Sequence, residues 1–438
     1  MSVTIIGGGL AGCEAAWQLV KRGVAVELYE MKPLRKTPAQ SLDTMAELVC
    51  SNSLRSDRLT NAVGLLKAEM RKLDSLIMRV ADETAVPAGG ALAVDRTSFS
   101  QKIDQAVRSH PLIHVHQEEV TEIPSEGTVI IASGPLTSDA LSEAISRMDG
   151  LSTLHFYDAA APIVTADSLD MDKVYCLSRY DRGADYLNSS MNREEYMAFV
   201  HELQTAQTVD VRGFEEKAVF EGCMPIESMA KRGDMAIAFG PLKPVGLPDP
   251  RTGREPFAVV QLRRDNFAGS LYNIVGFQTR LTWPEQRRVF GMIPGLENAE
   301  FARLGVMHRN TFLNSPGFLD DTFRVIGQPR ISFAGQITGV EGYVESAASG
   351  LLVGLCTAYR EQGKEPPHFS GKTAIGAMGH YVSTPNKRFQ PMNCAFGLID
   401  QLEVAPGEKR IRNKQQRYEK IAQRALAEID GIIAQMEA

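Results

Sequence analysis

With 438 residues and a net charge of −6, the chain is long enough for two or three domains with buried cores, and it lacks an overall positive field for a polyanion. Its 44% hydrophobic and 23% charged content is that of an ordinary globular protein. No apolar stretch approaches the roughly 20 residues of a membrane span, so a cytoplasmic protein with no membrane partner is expected. Six cysteines, Cys13, Cys50, Cys176, Cys223, Cys356 and Cys394, show no C-x-x-C spacing. Neither a metal site nor a disulfide framework is indicated, and the thiols are expected to be reduced.

Val3 to Gly12 reads V-T-I-I-G-G-G-L-A-G, an apolar strand running into Gly7-x-Gly9-x-x-Gly12 and then a helix. Gly7 permits a tight turn, Gly9 lets a pyrophosphate approach the backbone, and Gly12 lets the helix lie on the strand. The dinucleotide would rest on Gly7, Gly8, Gly9, Leu10, Ala11 and Gly12, at the N–H groups of the helix start. Glu30 ends the next apolar run, about 20 residues on, where a carboxylate holds a ribose hydroxyl and repels a 2′-phosphate. FAD or NAD is therefore expected over NADP.

Beyond this unit, Ala62 to Ala81 places Leu65, Leu66, Met70, Leu73, Leu76, Ile77 and Val80 at helical spacing, predicting one long amphipathic helix. A glycine-bearing turn at Pro87 to Asp95 leads into a helix with Phe99, Ile103 and Val107 inward. Short strands are expected at Leu112 to His116 and Glu119 to Ile123. Thr128 to Gly134 is another strand, ending in small residues where a cofactor passes, with Gly134 at its tip.

From about His155 the βα alternation gives way to strand-like runs such as Ala160 to Val164 and Phe257 to Leu262, read as an inserted domain. Within it, Asn192 with Glu195 and Thr282 with Glu285 have capping-box spacing. Pro241 to Pro256 holds five prolines and reads as a loop, either a lid or an interdomain crossing. Ile331 to Gly350 returns as a strand, a turn bearing Gly335, Gly339 and Gly342, and a small-residue helix whose N-terminus faces the flavin position. Two segments returning to the first nucleotide site favour FAD over NAD. The fold class expected is a Rossmann-like two-dinucleotide-domain FAD fold with a smaller inserted α/β domain. Its boundaries are 1–154 and 331–438 for the FAD-binding parts and 155–330 for the insert.

The C-terminal stretch Glu408 to Arg424 carries Lys409, Arg410, Arg412, Lys414, Arg417, Lys420 and Arg424, preceded by Lys387, Arg388 and Phe389. It reads either as a solvated helix or as a local basic surface for RNA. Cys13 and Cys356 read as small core residues. Cys50, in E-L-V-C-S-N-S-L-R beside Arg55, and Cys223, in the turn E-G-C-M-P, are the thiols with surroundings suited to chemistry.

Six blocks together resemble the folate- and FAD-dependent tRNA uridine methyltransferases, the TrmFO family. They are G-G-G-L-A-G-C-E-A-A-W, A-E-L-V-C-S-N-S-L, P-A-G-G-A-L-A-V-D-R, G-P-L-K-P-V-G-L, V-M-H-R-N-T and G-V-E-G-Y-V-E-S-A. The P-A-G-G-A-L-A-V-D-R block also resembles larger flavin proteins that modify wobble uridines. The family resemblance implies methylation at C5 of the T-loop uridine of tRNA, with methylenetetrahydrofolate as carbon donor and NADH or NADPH reducing FAD. It implies Cys223 as nucleophile and Cys50 as its acid/base or protecting partner. It further implies that Tyr343 stacks on flavin or folate and that His308, Arg309 and Asn310 contact pterin or flavin. Three other readings share the flavin motifs: the same chemistry on a ribosomal RNA uridine, a plain FAD-dependent NAD(P)H oxidoreductase, and a noncatalytic RNA-binding flavoprotein. Oligomeric state is not legible.

Overall fold

The computed structural model describes residues 2–37, 39–148, 153–179, 183–209, 224–386, 389–403 and 411–437, with residues 153–158 and 307–309 described by their backbone alone. The chain enters directly into β1 (Ser2–Ile6), turns through the glycines into α1 (Leu10–Val20) and returns as β2 (Ala25–Glu30). After a long loop come β3 (Ser53–Ser56), α2 (Ala62–Lys72), α3 (Leu76–Glu83) and the hairpin of β4 (Ala85–Val86) and β5 (Ala91–Val94). Then α4 (Arg96–Arg108), β6 (Ile113–Gln117), β7 (Val129–Ile131) and α5 (Asp139–Ser146) complete the first part.

The single helix expected over Ala62 to Ala81 is two. Asp74 takes φ +55 and Ser75 caps α3 by accepting the Met78 N–H, so the chain turns sharply there while every apolar residue of the stripe stays buried. Glu119 to Ile123 forms no strand. Glu118, Glu119 and Val120 instead line a cavity, and Arg35 pairs with Glu119 across that segment.

The second part runs through β8 (Thr153–Ala159), β9 (Ile163–Thr165), β10 (Val174–Cys176), β11 (Tyr186–Met191), α6 (Arg193–Thr205) and α7 (Ile226–Lys231). It continues with β12 (Ala258–Arg264), β13 (Leu271–Ile274), α8 (Trp283–Phe290), β14 (Phe301–Arg303) and β15 (Met307–Leu313). Strands β10-β11-β12-β13-β9-β14 form an antiparallel sheet. The α6 residues Tyr196, Phe199, Val200 and Leu203 pack in one apolar cluster with Val260, Leu262 and Ile274 of the sheet. Asn192 and Glu195 make the expected capping box. Helix α8 does begin after Thr282, but that hydroxyl makes no cap, and Glu285 pairs with Arg288 instead. The proline-rich loop folds back on this body, with Leu242 and Leu247 fully buried.

The chain then returns as β16 (Ile331–Phe333), α9 (Tyr343–Glu361), α10 (Ala374–Ser383) and α11 (Lys414–Glu437). Strand β16 joins β7, giving a parallel sheet in the order β16-β7-β1-β2-β6. Strands β7 and β16 are buried on both faces and β1 nearly so, as the apolar runs V-T-I-I and T-V-I-I require, while β2 and the edge strand β6 are only partly covered. One hydrophobic cluster gathers residues from Val3 to Met148 and from Phe312 to Ile432, and a second gathers Ala161 to Leu296. The antiparallel pair β8 and β15, with Ala159 opposite Met307, carries the chain between them. Among the described residues no helix is long and apolar enough to cross a membrane.

Candidate active site

At the C-terminal edge of the parallel sheet lies an open cavity of about 180 Å³, lined by the first glycine turn, Glu30, the Ala132–Ser138 loop, Gly335, Gln336, Tyr343 and Ser346. Of the residues expected to hold a dinucleotide, Gly7, Gly8, Gly9, Leu10, Ala11, Glu30, Gly134, Gly335 and Tyr343 all face it. Gly7 sits at φ +106 with Ala132 O only 2.5 Å from where a Cβ would be, and a Cβ at Gly12 would lie 1.9 Å from Gly7 O. A Cβ at Gly9 would meet nothing within 4 Å, and the α1 N-terminus carries no side-chain cap. Backbone and dipole are thus left open to an anionic group. Glu30 is buried, its Oε2 accepting Gly8 N–H at 2.8 Å and its Oε1 accepting Lys32 N–H at 3.0 Å.

Gly339 and Gly342 do not line the cavity. Gly339 at φ +88 makes room for the Phe389 ring, which is why Phe389 is buried rather than part of a basic surface, and Gly342 caps α9 beside Glu345 and Arg55. Cys13 and Cys356 are fully buried, and burial pushes both thiols up, Cys356 to about 12, so both are core residues. None of the described cysteines is in a disulfide.

Cys50 lies where the cavity wall meets the β8–β15 crossing. Its N–H donates to Tyr343 Oη at 2.6 Å, the Ser51 N–H donates to the same oxygen at 3.2 Å, and its Sγ lies 3.8 Å from Ala159 O. Tyr343 therefore joins the third cofactor segment to the cysteine motif. Burial raises its phenol well above the ordinary range, and the Cys50 charge adds to this. Asn310 is 2% exposed, and its Nδ2 has no hydrogen-bond partner among the described residues. Its neighbour Thr311 donates to Pro135 O at 3.0 Å, tying β15 to the cavity wall. His308 and Arg309 precede it on β15, opposite Asp158 and Tyr157.

Cys223 lies outside the described residues, as do Lys387, Arg388, Lys409 and Arg410. The chain just after Cys223 is anchored by Ile226 N–H to Gln278 O at 2.8 Å. It is also held by the buried Glu227, which accepts Thr279 Oγ1 and Arg280 N–H at 2.9 Å each. Gly305, one residue before the Val306 carbonyl that accepts Ala160 N–H, packs against Thr279. A short run of contacts thus joins the Cys50 wall to the root of the Cys223 segment.

A methylenetetrahydrofolate–tRNA-(uracil-5-)-methyltransferase TrmFO of Listeria monocytogenes serotype 4b (strain F2365) is 59% identical over 437 residues, covering 99% of each chain. The chain belongs to the TrmFO family. TrmFO enzymes of Lactobacillus gasseri and Bacillus licheniformis are 58% and 59% identical over 431 and 433 residues, covering 97% and 98% of their own lengths and 98% of this chain. The family model described as Glucose inhibited division protein A matches residues 2–365. Aquifex aeolicus GidA, in its form I crystal, superposes with a TM-score of 0.71 at 17% identity, covering 98% of this chain and 76% of that one, a likeness of fold. The fold is the expected Rossmann-like FAD architecture, and FAD is the cofactor that the cavity, the glycine turn and Glu30 fit.

Three arginines around Cys50, the buried Arg96 and Arg263 and the half-buried Arg303, escaped the reading of the TrmFO sequence. Arg96 had a signal, since it lies three residues before Phe99 on the apolar stripe of α4, where a charge demands a partner. Arg263 and Arg303 had none, because only the strand register brings them to the cysteine.

Proposed function

We infer that this protein transfers a one-carbon unit from methylenetetrahydrofolate to C5 of the T-loop uridine of tRNA, giving 5-methyluridine, with NADH or NADPH as reductant. The observation that carries the reading is Cys50 bonded through its amide to Tyr343 at the wall of a cavity shaped for a dinucleotide. The chain around it is 59% identical to TrmFO along its length.

Uracil C5 is a poor nucleophile until a thiolate adds to C6 and makes C4, C5 and C6 an enolate. Cys223 is our candidate for that addition, and the chain that follows it is anchored through Ile226 and Glu227. Bound FAD supplies the redox and one-carbon chemistry, held by the Gly7–Ala11 turn, Glu30, Gly134 and Gly335. Before Cys223 leaves, the C5 proton must be removed, and Cys50 is our candidate for that step or for shielding the nucleophile. Asn310, with His308 and Arg309, is our candidate contact to pterin or flavin, the unpartnered Nδ2 supplying a donor. We read residues 1–154 and 331–438 as the FAD-binding body, residues 155–330 as the insert, and the basic C-terminal stretch as a contact for tRNA. A cytoplasmic location follows from the substrate.

The test incubates the FAD-loaded protein with unmodified tRNA, NADH or NADPH and methylenetetrahydrofolate labelled in its methylene, followed by nucleoside analysis, with Cys223→Ala alongside. Label in T-loop 5-methyluridine with the wild type and none with the variant is expected. Flavin reduction without labelled nucleoside would reject tRNA as substrate. Repeating the mixture with ribosomal RNA would then separate a different RNA target from an ordinary oxidoreductase.

A further inference from the structure

A row of polar side chains crosses the antiparallel sheet and ends on the Cys50 turn. Arg263 of β12 stands opposite Asn273 of β13, Asn273 opposite Ile163 of β9, and Ile163 opposite Arg303 of β14. Residues paired across antiparallel strands project to one face, so both arginines reach the same side. Arg263 donates through Nε to Asn52 Oδ1 at 3.0 Å and through Nη2 to Ser51 Oγ at 2.7 Å. Arg303 Nη2 donates to Val49 O at 2.5 Å and Ala39 O at 3.0 Å. From the other body Arg96 donates to Leu48 O. Leu48, Val49, Ser51 and Asn52 are each held by a guanidinium, and Cys50 between them by Tyr343.

Of the three cations only Arg96 has a carboxylate partner among the described residues. Arg96 forks onto Asp265, with Nη2 to Oδ1 at 2.9 Å and Nε to Oδ2 at 3.3 Å. Arg263 and Arg303 form no ion pair among the described residues; Arg263 gives its bonds to side-chain oxygens of Asn52 and Ser51, and Arg303 gives its bonds to the Val49 and Ala39 carbonyls. An unneutralised guanidinium next to a thiol in a site of reduced polarity stabilises the thiolate over the thiol.

We propose that Arg303 is a positioning residue for Cys50, fixing the peptide bond that enters its residue and supplying an uncompensated positive charge that favours its thiolate. Among the described residues, the charged and titratable groups facing the Cys50 turn include Arg96 of α4, Arg263 and Asp265 at the end of β12, Arg303 of β14, Tyr343 of α9 and Glu47 of the turn itself, which pairs with Lys32. Burial draws the Arg303 pKa down, as does Arg96, while Tyr343, Glu47 and Cys50 oppose this. The Ala159 carbonyl, 3.8 Å from Sγ, favours the neutral thiol, so the arginine acts against a defined competitor.

The proposal takes Cys50 as a reacting thiol, and it is tested without RNA or folate, so its failure is distinguishable from failure of the methyltransferase reading. FAD-loaded wild type, Arg303→Met, Arg303→Gln and Arg303→Lys are alkylated with iodoacetamide across pH 6 to 10, and the Cys50 peptide is quantified by mass spectrometry. Both neutral variants are expected to raise the midpoint of the Cys50 profile by about one pH unit, the lower end of the effect of one nearby opposite charge. Arg303→Lys is expected to keep the wild-type midpoint. Neutral variants that retain FAD and the wild-type midpoint would overturn the proposal, as would a lysine variant shifted as far as the neutral ones. Loss of the fold in both neutral variants would also overturn it, by making Arg303 a residue of stability alone.

Discussion

Tyr343 connects cofactor cavity and cysteine through one oxygen that accepts two backbone amides, those of Cys50 and Ser51. Replacing it by phenylalanine keeps the ring and removes the acceptor, leaving two amides to find new partners at a cost of about 1–3 kcal/mol. That energy falls on the geometry of the Cys50 turn, since the glycine turn and Glu30 keep their own hydrogen bonds. Tyr343→Phe is therefore expected to retain FAD by absorbance and to lower single-turnover methyl transfer about tenfold, the rate equivalent of about 1.4 kcal/mol. An unchanged rate with full flavin would show that the phenol oxygen does not govern the turn. Glu30 and Cys50 were legible in the sequence because each sits in a local pattern, an acid at a strand end and a thiol leaving an apolar run, whereas Tyr343 was picked out by the family resemblance alone. The guanidiniums that grip Cys50 were not, because Arg263 and Arg303 reach it through pairings that no short window records.

Helices α1 and α9 both start at the cavity, and they can do so only by lying unusually close. A Cβ at Gly350 would fall 2.2 Å from Ala11 O, and one at Gly354 would fall 2.5 Å from Ala15 O. The small-residue run A-A-S-G-L-L-V-G is thus a packing seam that brings two helix N-termini to one site. Gly354→Val inserts a branched side chain against backbone that cannot yield without separating the helices, and overpacking of this kind costs about 1–3 kcal/mol. The expected result is a lower melting temperature and weaker FAD retention, measured by thermal melting and by flavin fluorescence after gel filtration. A variant that melts and holds FAD like the wild type would mean the seam can open without disturbing the site. The seam was readable as a small-residue helix, whereas the break between α2 and α3 was not, since the apolar stripe runs through it unaltered while Asp74 and Ser75 leave helical backbone.

Across the whole molecule, buried glutamates on helices fasten segments distant in sequence. Glu14 of α1 accepts Ser75 Oγ and Ile77 N–H at the start of α3, and Glu345 of α9 accepts Cys394 N–H. Glu69 of α2 accepts Ala374 and Ile375 N–H at 2.7 and 2.9 Å, tying the first third of the chain to α10. Two forces compete at Glu69. The amides and dipole of α10 favour the carboxylate, while complete burial favours the neutral acid and prevails, raising its pKa to about 8. Between about pH 4.5 and about pH 8 the native state then keeps a proton that the unfolded chain has released. Stability from this group is full below that window and is lost as pH rises through it, with a slope of at most about 1.4 kcal/mol per pH unit. Glu69→Gln removes the proton and keeps one acceptor for α10. The melting temperature of wild type relative to this variant is therefore expected to fall steadily from pH 5 to pH 8, with flavin content held equal. Parallel profiles would mean that the α10 amides hold Glu69 ionised throughout, and that the helix N-terminus outweighs burial at the joint between the two halves of the chain.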